Sequence, residues 1–534
     1  MNSVTVKINR RTVKVPPGLT LWEAAKSAGI DIPALCFRTG FKPTTSCMVC
    51  VVWDVGSQQL IPSCSVHVSQ GLHIDTECRE VKEARKSALE FLLAEHLGDC
   101  LAPCQRTCPA HGNIPQMIRF IRKNRFKEAL ITIKRDIALP AVMGYICPAP
   151  CEKGCKRGNY DEAVSICLLK KFVAEYDLYQ KEVFYPRLKP KSGKKIAIVG
   201  AGPTGLAAAY YLTTFGHHCT VFDKNSQSGG MLRYGVPEDK LPRTILDSEI
   251  KIITDLGVRF VLGPQKGTIN DLKEVRQKYD AIILATGDNS TRIFEESKIK
   301  YSDSGFQINS QTFETSLPGV FAGGGAVKSN KMAIISLAQG KEISISVDRW
   351  FSRKKSDSYR KTFDSRMGKM SQEELKEYLN NSSVYSRIKP GKANPKEFDH
   401  KEAERESYRC FSCDCRKPVS CKLRQYAEEY QAKQSRSLLK KYNKFDLIFT
   451  DSGVVYEQGK CIKCGLCIQV TANKSRGSLG LAFTNRGYDL TIDGPFQKDM
   501  ERAIKNNAEE CVKVCPTGAL AWKDHLEDED HEGK

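Results

Sequence analysis

The grouping of cysteines constrains this chain more than any other feature. Twenty-two of its 534 residues are cysteine, and most fall in tight sets separated by long stretches without one. The first residues, Met-Asn-Ser-Val-Thr-Val-Lys-Ile, alternate like a strand and hold no apolar signal core, and no later run is long enough to cross a bilayer. The expected location is cytoplasmic, where thiols stay reduced and grouped thiols favour metal over disulfides. Zinc and iron-sulfur clusters are then the alternatives, and spacing discriminates between them.

Cys36, Cys47, Cys50 and Cys64 put one close pair and two distant thiols on a loop behind a small β-rich unit, with strands expected over 4–8 and 12–15 and a helix over 20–28. Zinc prefers two close pairs; four sulfurs converging from one side suit a 2Fe-2S cluster. Next, Cys100, Cys104 and Cys108 lie four residues apart, as do Cys147, Cys151 and Cys155, and a helical stretch joins the two groups. With His96 these are seven potential ligands, enough for two 4Fe-4S clusters.

Near the C-terminus, Cys461-x2-Cys464-x2-Cys467 is followed by Cys511-x3-Cys515-Pro516. In a two-cluster ferredoxin the first three cysteines of each repeat are completed by the fourth of the other. Here Thr471 stands where the first repeat has its fourth cysteine, and Lys505 and Ala508 where the second has its first two. One 4Fe-4S cluster remains, on Cys461, Cys464, Cys467 and Cys515, with Cys511 left over. The set Cys410, Cys413, Cys415 and Cys421 lies between helical stretches as a compact ligand loop; a 4Fe-4S cluster, zinc and partly free thiols all stay open for it. Cys78 reads as a packed thiol.

Lys-Lys-Ile-Ala-Ile-Val-Gly200-Ala-Gly202-Pro203-Thr204-Gly205 is a buried strand running into a Gly-rich turn and a helix, and Asp223 closes a second apolar strand. Such glycines let the backbone approach a pyrophosphate at a helix N-terminus, and the acid can accept from a ribose. No second Gly-x-Gly-x-x-Gly occurs in the chain.

Several of these motifs carry resemblances. The Cys36 to Cys64 spacing with Pro33 and Pro62-Ser63-Cys64, and the segment holding Leu-Gly-Leu-Ala-Phe and Asn-Arg-Gly-Tyr-Asp, resemble the ends of the cluster-rich subunit of respiratory complex I and of iron-only hydrogenases. Pro103-Cys104-Gln105 and Cys151-Glu152-x2-Cys155 resemble the cluster domain of the glutamate synthase small subunit and of dihydropyrimidine dehydrogenase. That likeness implies interleaved ligands: Cys100, Cys104 and Cys155 on one cluster, Cys108, Cys147 and Cys151 on the other. His-x3-Cys is similar to the start of a complex I cluster motif, which makes His96 the fourth ligand of the first. For the second, the Gln or Glu position of the family falls near Lys170, with Cys167 close by, and the ligand stays open.

The glycines Gly229 and Gly230 with Leu232 and Arg233, then Thr286-Gly287, then Pro318-Gly-Val-Phe-Ala-Gly-Gly324, resemble the FAD-binding half of glutamate synthase small subunits. The likeness implies FAD contacts at these residues and at Pro203, Thr204, Asp223 and Lys224. Gly325 stands where the family places an aspartate that touches the flavin chain. Such relatives insert an NADPH domain between the Ala-Thr-Gly strand and the last FAD segment; here 30 residues separate Gly287 from Pro318, about one βαβ turn.

The expected architecture is multidomain: a β-grasp 2Fe-2S ferredoxin-like domain over 1–82, a helical domain with two 4Fe-4S clusters over 83–190, and an α/β Rossmann-like FAD domain without the NAD(P)H insert over 191–350. A basic linker or run of solvated helices over 351–402, a cysteine-rich module over 403–445 and a C-terminal ferredoxin-like 4Fe-4S domain with an acidic tail over 446–534 follow. Lys and Arg number 82 against 62 Asp and Glu, a net charge of +20, but the excess is spread along the chain and calls for no nucleic acid partner.

No acid-base or nucleophile constellation stands out, so the chemistry belongs to the cofactors: FAD, one 2Fe-2S cluster and three to four 4Fe-4S clusters. The expected function is an electron-transfer subunit of a multisubunit oxidoreductase. Its partners would be a complex I-like NADH-oxidising flavoprotein with small 2Fe-2S subunits, or a hydrogenase or formate dehydrogenase subunit; ferredoxin also fits, and a flavin between one-electron clusters could split electron pairs. The alternatives are a self-contained NAD(P)H-dependent reductase and a cluster scaffold with a vestigial flavin pocket.

Overall fold

The computed structural model describes residues 3–269, 271–287, 299–329, 332–352, 362–391, 397–435, 445–474, 480–494 and 500–523. The chain divides into two compact units: Met1–Ala102, Arg360–Asn381 and Cys413–Lys534 make the first, Pro103–Tyr359 and Ser382–Ser412 the second. The stretch expected as one module over 403–445 is therefore shared between them.

In the first unit, strand alternation sets Val6, Ile8, Val15 and Ile74 inward. The five-stranded sheet runs Arg11–Val15, Val4–Ile8, His73–Asp75, Val51–Asp54, Gln59–Pro62, with the second and third strands parallel and the other pairs antiparallel. Helix Leu21–Ser27 packs on it through Leu21, Ala24 and Ala25. Thr20 and Glu23 form the capping box that fixes its start. A second core gathers around the antiparallel strands Leu447–Phe449, Val454–Glu457 and Leu520–Trp522 with helices Leu466–Lys474 and Ala508–Val514.

The expected linker is folded where it is described. Helix Gln372–Asn380 carries its own Ser371/Glu374 capping box, and Ser365 and Met367 are buried. Backbone and side chains of the segment both bond: Met367 N–H donates to Asp99 at 3.1 Å, and Ser365 Oγ donates to the Gly98 carbonyl at 3.0 Å.

In the second unit, short helices over 103–178 precede a five-stranded parallel sheet. Its order is Val320–Ala322, Ala281–Leu284, Lys195–Val199, His218–Asp223, Arg259–Leu262. Helix Pro203–Thr214, apolar nearly all round, lies buried against helix Ala333–Phe351. The approach is close: a Cβ on Gly340 would stand 2.4 Å from the Thr204 carbonyl oxygen. Glu249, on helix Arg243–Asp255, accepts from the N–H groups of Ala141 and Val142 at 3.1 and 2.9 Å, which ties the helical part to the sheet part. Among the described residues no helix is long and apolar enough to cross a membrane.

Candidate iron-sulfur and flavin sites

The first-unit loop after helix Leu21–Ser27 brings Cys36, Cys47, Cys50 and Cys64 together, all buried. The thiols of Cys47 and Cys64 donate to Cys36 and hold it down to about 2, and Cys64 also donates to Cys50, holding it to about 7. Thr45 and Met48 take left-handed backbone (φ 55° and 54°) to turn the loop around the sulfurs. Ser63 Oγ donates to the Cys50 carbonyl at 2.6 Å.

Cys461, Cys464, Cys467 and Cys515 line one cavity with Tyr456 and Pro516. Cys511 is buried on helix Ala508–Val514 and is not part of that lining. Thr44 joins this loop to the first one: its hydroxyl donates to the Cys464 carbonyl at 2.8 Å and lies 3.2 Å from the Cys36 carbonyl.

Cys100, Cys415 and Cys421 lie near enough in the first unit to perturb one another, Cys100 being pushed up to about 11 by burial and by Cys415. Ser365 N–H donates to Cys100 Sγ at 3.4 Å, a contact from the expected linker that no local pattern indicates. His96 is buried at the C-terminal end of helix Arg79–Glu95, four residues before Cys100. Cys413 belongs to this unit as well.

In the second unit Cys104 sits on helix Pro103–Thr107, which packs on the Pro150–Lys153 turn of helix, and Cys155 feels Cys410. The group implied by family likeness and the loop read from spacing are thus both shared out: Cys100 falls in one unit and Cys104 and Cys155 in the other, Cys410 in one and Cys413, Cys415 and Cys421 in the other. A further cavity of the second unit is lined by Cys108, Cys147, Cys151 and Cys167, with Lys170 and isoleucines 114, 133, 137, 166 and 334.

Three cysteine loops share one turn. Ala149, Ser412 and Lys463 each lie two residues after a cysteine, and each has positive φ (50°, 48° and 55°). In each case the N–H donates to that sulfur, at 3.4 Å for Ser412 to Cys410 and for Lys463 to Cys461. Left-handed backbone at non-glycine residues costs of order 1 kcal/mol or more and persists where function requires it. N–H donors aimed at sulfur stabilise a thiolate, so Cys410 has the same local build as Cys147 and Cys461. Among the described residues no group of three or more His, Cys, Asp or Glu closes around a single-ion position.

The flavin-type residues meet at the carboxyl ends of the parallel strands, where such sheets bind ligands. Gly200 follows Val199 with φ 112°, and a Cβ there would lie 2.2 Å from the Ala285 carbonyl oxygen. A Cβ on Gly205 would meet the Gly200 oxygen at 1.9 Å, so the helix starts flush against the turn. Gly202 is different: it is the N-cap of the helix begun by Pro203 and Thr204, and a Cβ there would find nothing closer than Gly230 Cα at 4.0 Å. Open space at a helix N-terminus is what a pyrophosphate needs.

Asp223 Oδ1 accepts from the backbone N–H and the side-chain amide of Asn225, both at 2.9 Å, and Oδ2 accepts from the Ala201 N–H at 2.8 Å, bracing the Gly-rich turn with an Oδ2 that keeps a second lone pair. Lys224 is exposed. Gly229 N–H donates to the Ala201 carbonyl, Leu232 is buried, and Arg233 is held by the Ser228 carbonyl and by Asp247. Thr286 and Gly287 follow strand Ala281–Leu284, and Gly325 lies in the turn Gly324–Ala326, whose Gly324 abuts Thr204.

Gly202→Ala tests this cradle: the added Cβ fits the protein but enters the phosphate space. We expect a folded chain retaining less than about a tenth of the flavin after gel filtration, a binding loss of at least ~1.4 kcal/mol. Unchanged flavin content would show that Gly202 does not face the pyrophosphate.

Three stretches match known families. Residues 1–79 match the 2Fe-2S iron-sulfur cluster binding domain, residues 75–182 the 4Fe-4S domain II of dihydropyrimidine dehydrogenase, and residues 169–341 the pyridine nucleotide-disulphide oxidoreductase domain. The chain therefore carries, in that order, two iron-sulfur domains and a flavin-type oxidoreductase domain.

Among curated proteins it is 40% identical over 193 residues to the NADPH-Fe(3+) oxidoreductase subunit beta of Geobacter sulfurreducens, over 36% of this chain and 29% of that one. It is 40% identical over 207 residues to the NADP(+)-dependent formate dehydrogenase subunit beta of Moorella thermoacetica, over 35% of this chain and 29% of that one. It is 37% identical over 186 residues to the glutamate synthase [NADPH] small chain of Bacillus subtilis, over 35% of this chain and 38% of that one. The chain thus spans about a third of the length of these relatives.

Proposed function

We propose that this chain is an iron-sulfur flavoprotein subunit of a multisubunit oxidoreductase, relaying electrons between partner subunits in the cytoplasm. The observation that carries this reading is the assembly on one chain of several buried thiol sets and a parallel-sheet cradle with an open helix N-terminus. FAD and the clusters, when bound, supply one- and two-electron chemistry.

The chain's own residues hold and tune those groups. The mixed sheet with its helix serves as a β-grasp ferredoxin domain presenting Cys36, Cys47, Cys50 and Cys64 to a 2Fe-2S cluster. The C-terminal core serves as a ferredoxin-like domain holding one 4Fe-4S cluster on Cys461, Cys464, Cys467 and Cys515. Cys100, Cys415 and Cys421, and Cys104, Cys155 and Cys410, belong to further clusters. The turn at Cys410 repeats that of Cys147 and Cys461, which supports a metal-ligand role for Cys410 like theirs. Thr44 gives the 2Fe-2S and C-terminal sites a short bonded path.

The flavin cradle uses Gly200, Gly202, Gly205, Asp223 and Gly324. With 30 residues between Gly287 and Pro318, nicotinamide chemistry falls to a partner: a complex I-like NADH-oxidising flavoprotein, or a hydrogenase or formate dehydrogenase subunit. Relatives named as subunits of oxidoreductases support a chain that works within a multisubunit oxidoreductase.

His96 is the proposed non-thiol ligand beside Cys100. His96→Ala should abolish or shift one 4Fe-4S signal in electron paramagnetic resonance, and His96→Cys should restore it at a lower potential, since thiolate donates more charge than imidazole. Unaltered spectra in both would make His96 a packed side chain. The reading as a whole is tested by anaerobic purification: bound FAD together with iron supports it, and a folded chain that retains neither overturns it.

A further inference from the structure

We propose that Cys167 is the fourth ligand, with Cys108, Cys147 and Cys151, of an all-cysteine 4Fe-4S cluster, and that the Lys170 ammonium raises the potential of that cluster. The inference rests on the reading of the helical part as a 4Fe-4S carrier and names what completes one of its sites.

The four thiols line a single cavity, so Cys167 is not an isolated thiol. Cys167 opens the second residue of helix Ile166–Leu178, and Lys170, three residues on, shares its face. The position of Cys167 is fixed from the ligand segment itself: its N–H donates at 2.9 Å to Glu152, the residue after Cys151, and Arg387 holds the other Glu152 oxygen at 2.7 Å. The Cys167 and Cys147 thiols lie within hydrogen-bonding reach of each other, so both sulfurs face the same cavity.

The carbonyls within reach of the Cys167 thiol, of Met143, Gly144 and Cys147 at 3.5, 3.6 and 4.0 Å, belong to helix Pro140–Ile146 and to the Cys147 that follows it, so the segment that delivers one ligand also seats Cys167. Lys170 accounts for the charge. An all-thiolate cluster concentrates negative charge, and the cavity wall is otherwise largely isoleucine. Lys170 is buried there with Nζ donating to the Met143 carbonyl at 3.1 Å. A fixed cation beside a cluster favours the more negative, reduced form and so raises the potential. The wall also includes Ile334 of helix Ala333–Phe351, the helix packed on the flavin cradle, which makes this the cluster beside the flavin site.

The test uses the full chain, purified anaerobically, as Cys167→Ala, Cys167→Ser, Cys147→Ala and Lys170→Met, with iron analysis, electron paramagnetic resonance and redox titration; the 2Fe-2S signal serves as the internal measure of folding. The expected result is that Cys167→Ala and Cys147→Ala lose the same 4Fe-4S signal and about four iron atoms each. Cys167→Ser should lose or shift that signal, and Lys170→Met should keep it at a lower potential. If Cys147→Ala loses the signal while both Cys167 variants leave it unchanged, Cys167 is a core thiol and the proposal fails while the electron-carrier reading stands. If Cys147→Ala also changes nothing, the cluster reading of this cavity fails with it. An unshifted potential in Lys170→Met overturns the role of the lysine.

Discussion

Mixed anaerobically with NADH or NADPH, the isolated FAD-loaded chain is expected to stay oxidised. Hydride leaves a nicotinamide for a flavin only when the two rings are stacked, and proteins of this class hold the nicotinamide with a dedicated nucleotide domain. Between Gly287 and Pro318 the chain has 30 residues. Of these the structure describes 299–317, which form a two-stranded hairpin of Tyr301–Ser302 and Gly305–Phe306. A Gly-rich βαβ domain needs several times that length. Without it the reaction is bimolecular between a bound flavin and a free nucleotide, and the lost positioning lowers the rate by a factor on the order of 10³ or more. Dithionite should reduce the same sample fully, and adding an NADH-oxidising partner should restore nicotinamide-dependent reduction. Stopped-flow absorbance of the flavin band measures both; rapid bleaching of the isolated chain by either nucleotide would mean that the nicotinamide enters by another route.

The second large effect is on stability. Glu457, buried in the first unit, bridges two buried cations: Arg416 at 2.8 Å and Lys460 at 2.6 Å. Glu457→Ala would leave both charges unpaired in the interior, at a cost of about 3–5 kcal/mol. For a unit of this size the melting temperature should fall by roughly 6–20 °C, whereas Glu457→Gln, whose amide oxygen can still accept from one of the two cations, should cost less. Burial raises the carboxyl pKa, but Lys460 and Arg416 outweigh it and hold Glu457 below its ordinary value. Its stabilising share is therefore complete above about pH 4.5 and is lost as the pH falls through the lowered value. Calorimetry of the variants across that range checks both statements; an unchanged melting temperature in Glu457→Ala would show that water reaches the pair.

Much of the local structure was legible from residue pattern because its causes are local. The apolar run 195–199, the turn glycines and the Pro203 helix start define strand, turn and helix within twenty residues, and the alternation in 4–8 sets one strand face inward. The partition of the thiols was not legible, because it depends on contacts hundreds of residues apart. Ser365 reaches Cys100 across 265 positions, and no composition rule distinguishes its N–H from that of any other polar segment. Nor does spacing reveal that Cys410 and Cys415 fall in different units. Cys167 carried a readable hint, its place one turn before the lysine where relatives have a ligand. The left-handed turns at Ala149, Ser412 and Lys463 carried none, since none of these residues is glycine or asparagine.

The central claim, that this chain is a multicluster electron carrier, is tested most directly by iron and acid-labile sulfide analysis of the anaerobically purified protein, with electron paramagnetic resonance of the dithionite-reduced sample. The account predicts about 14 to 18 iron atoms per chain, in one 2Fe-2S and three or four 4Fe-4S clusters. A value near two iron atoms, or stoichiometric zinc at Cys410, Cys413, Cys415 and Cys421, would contradict it.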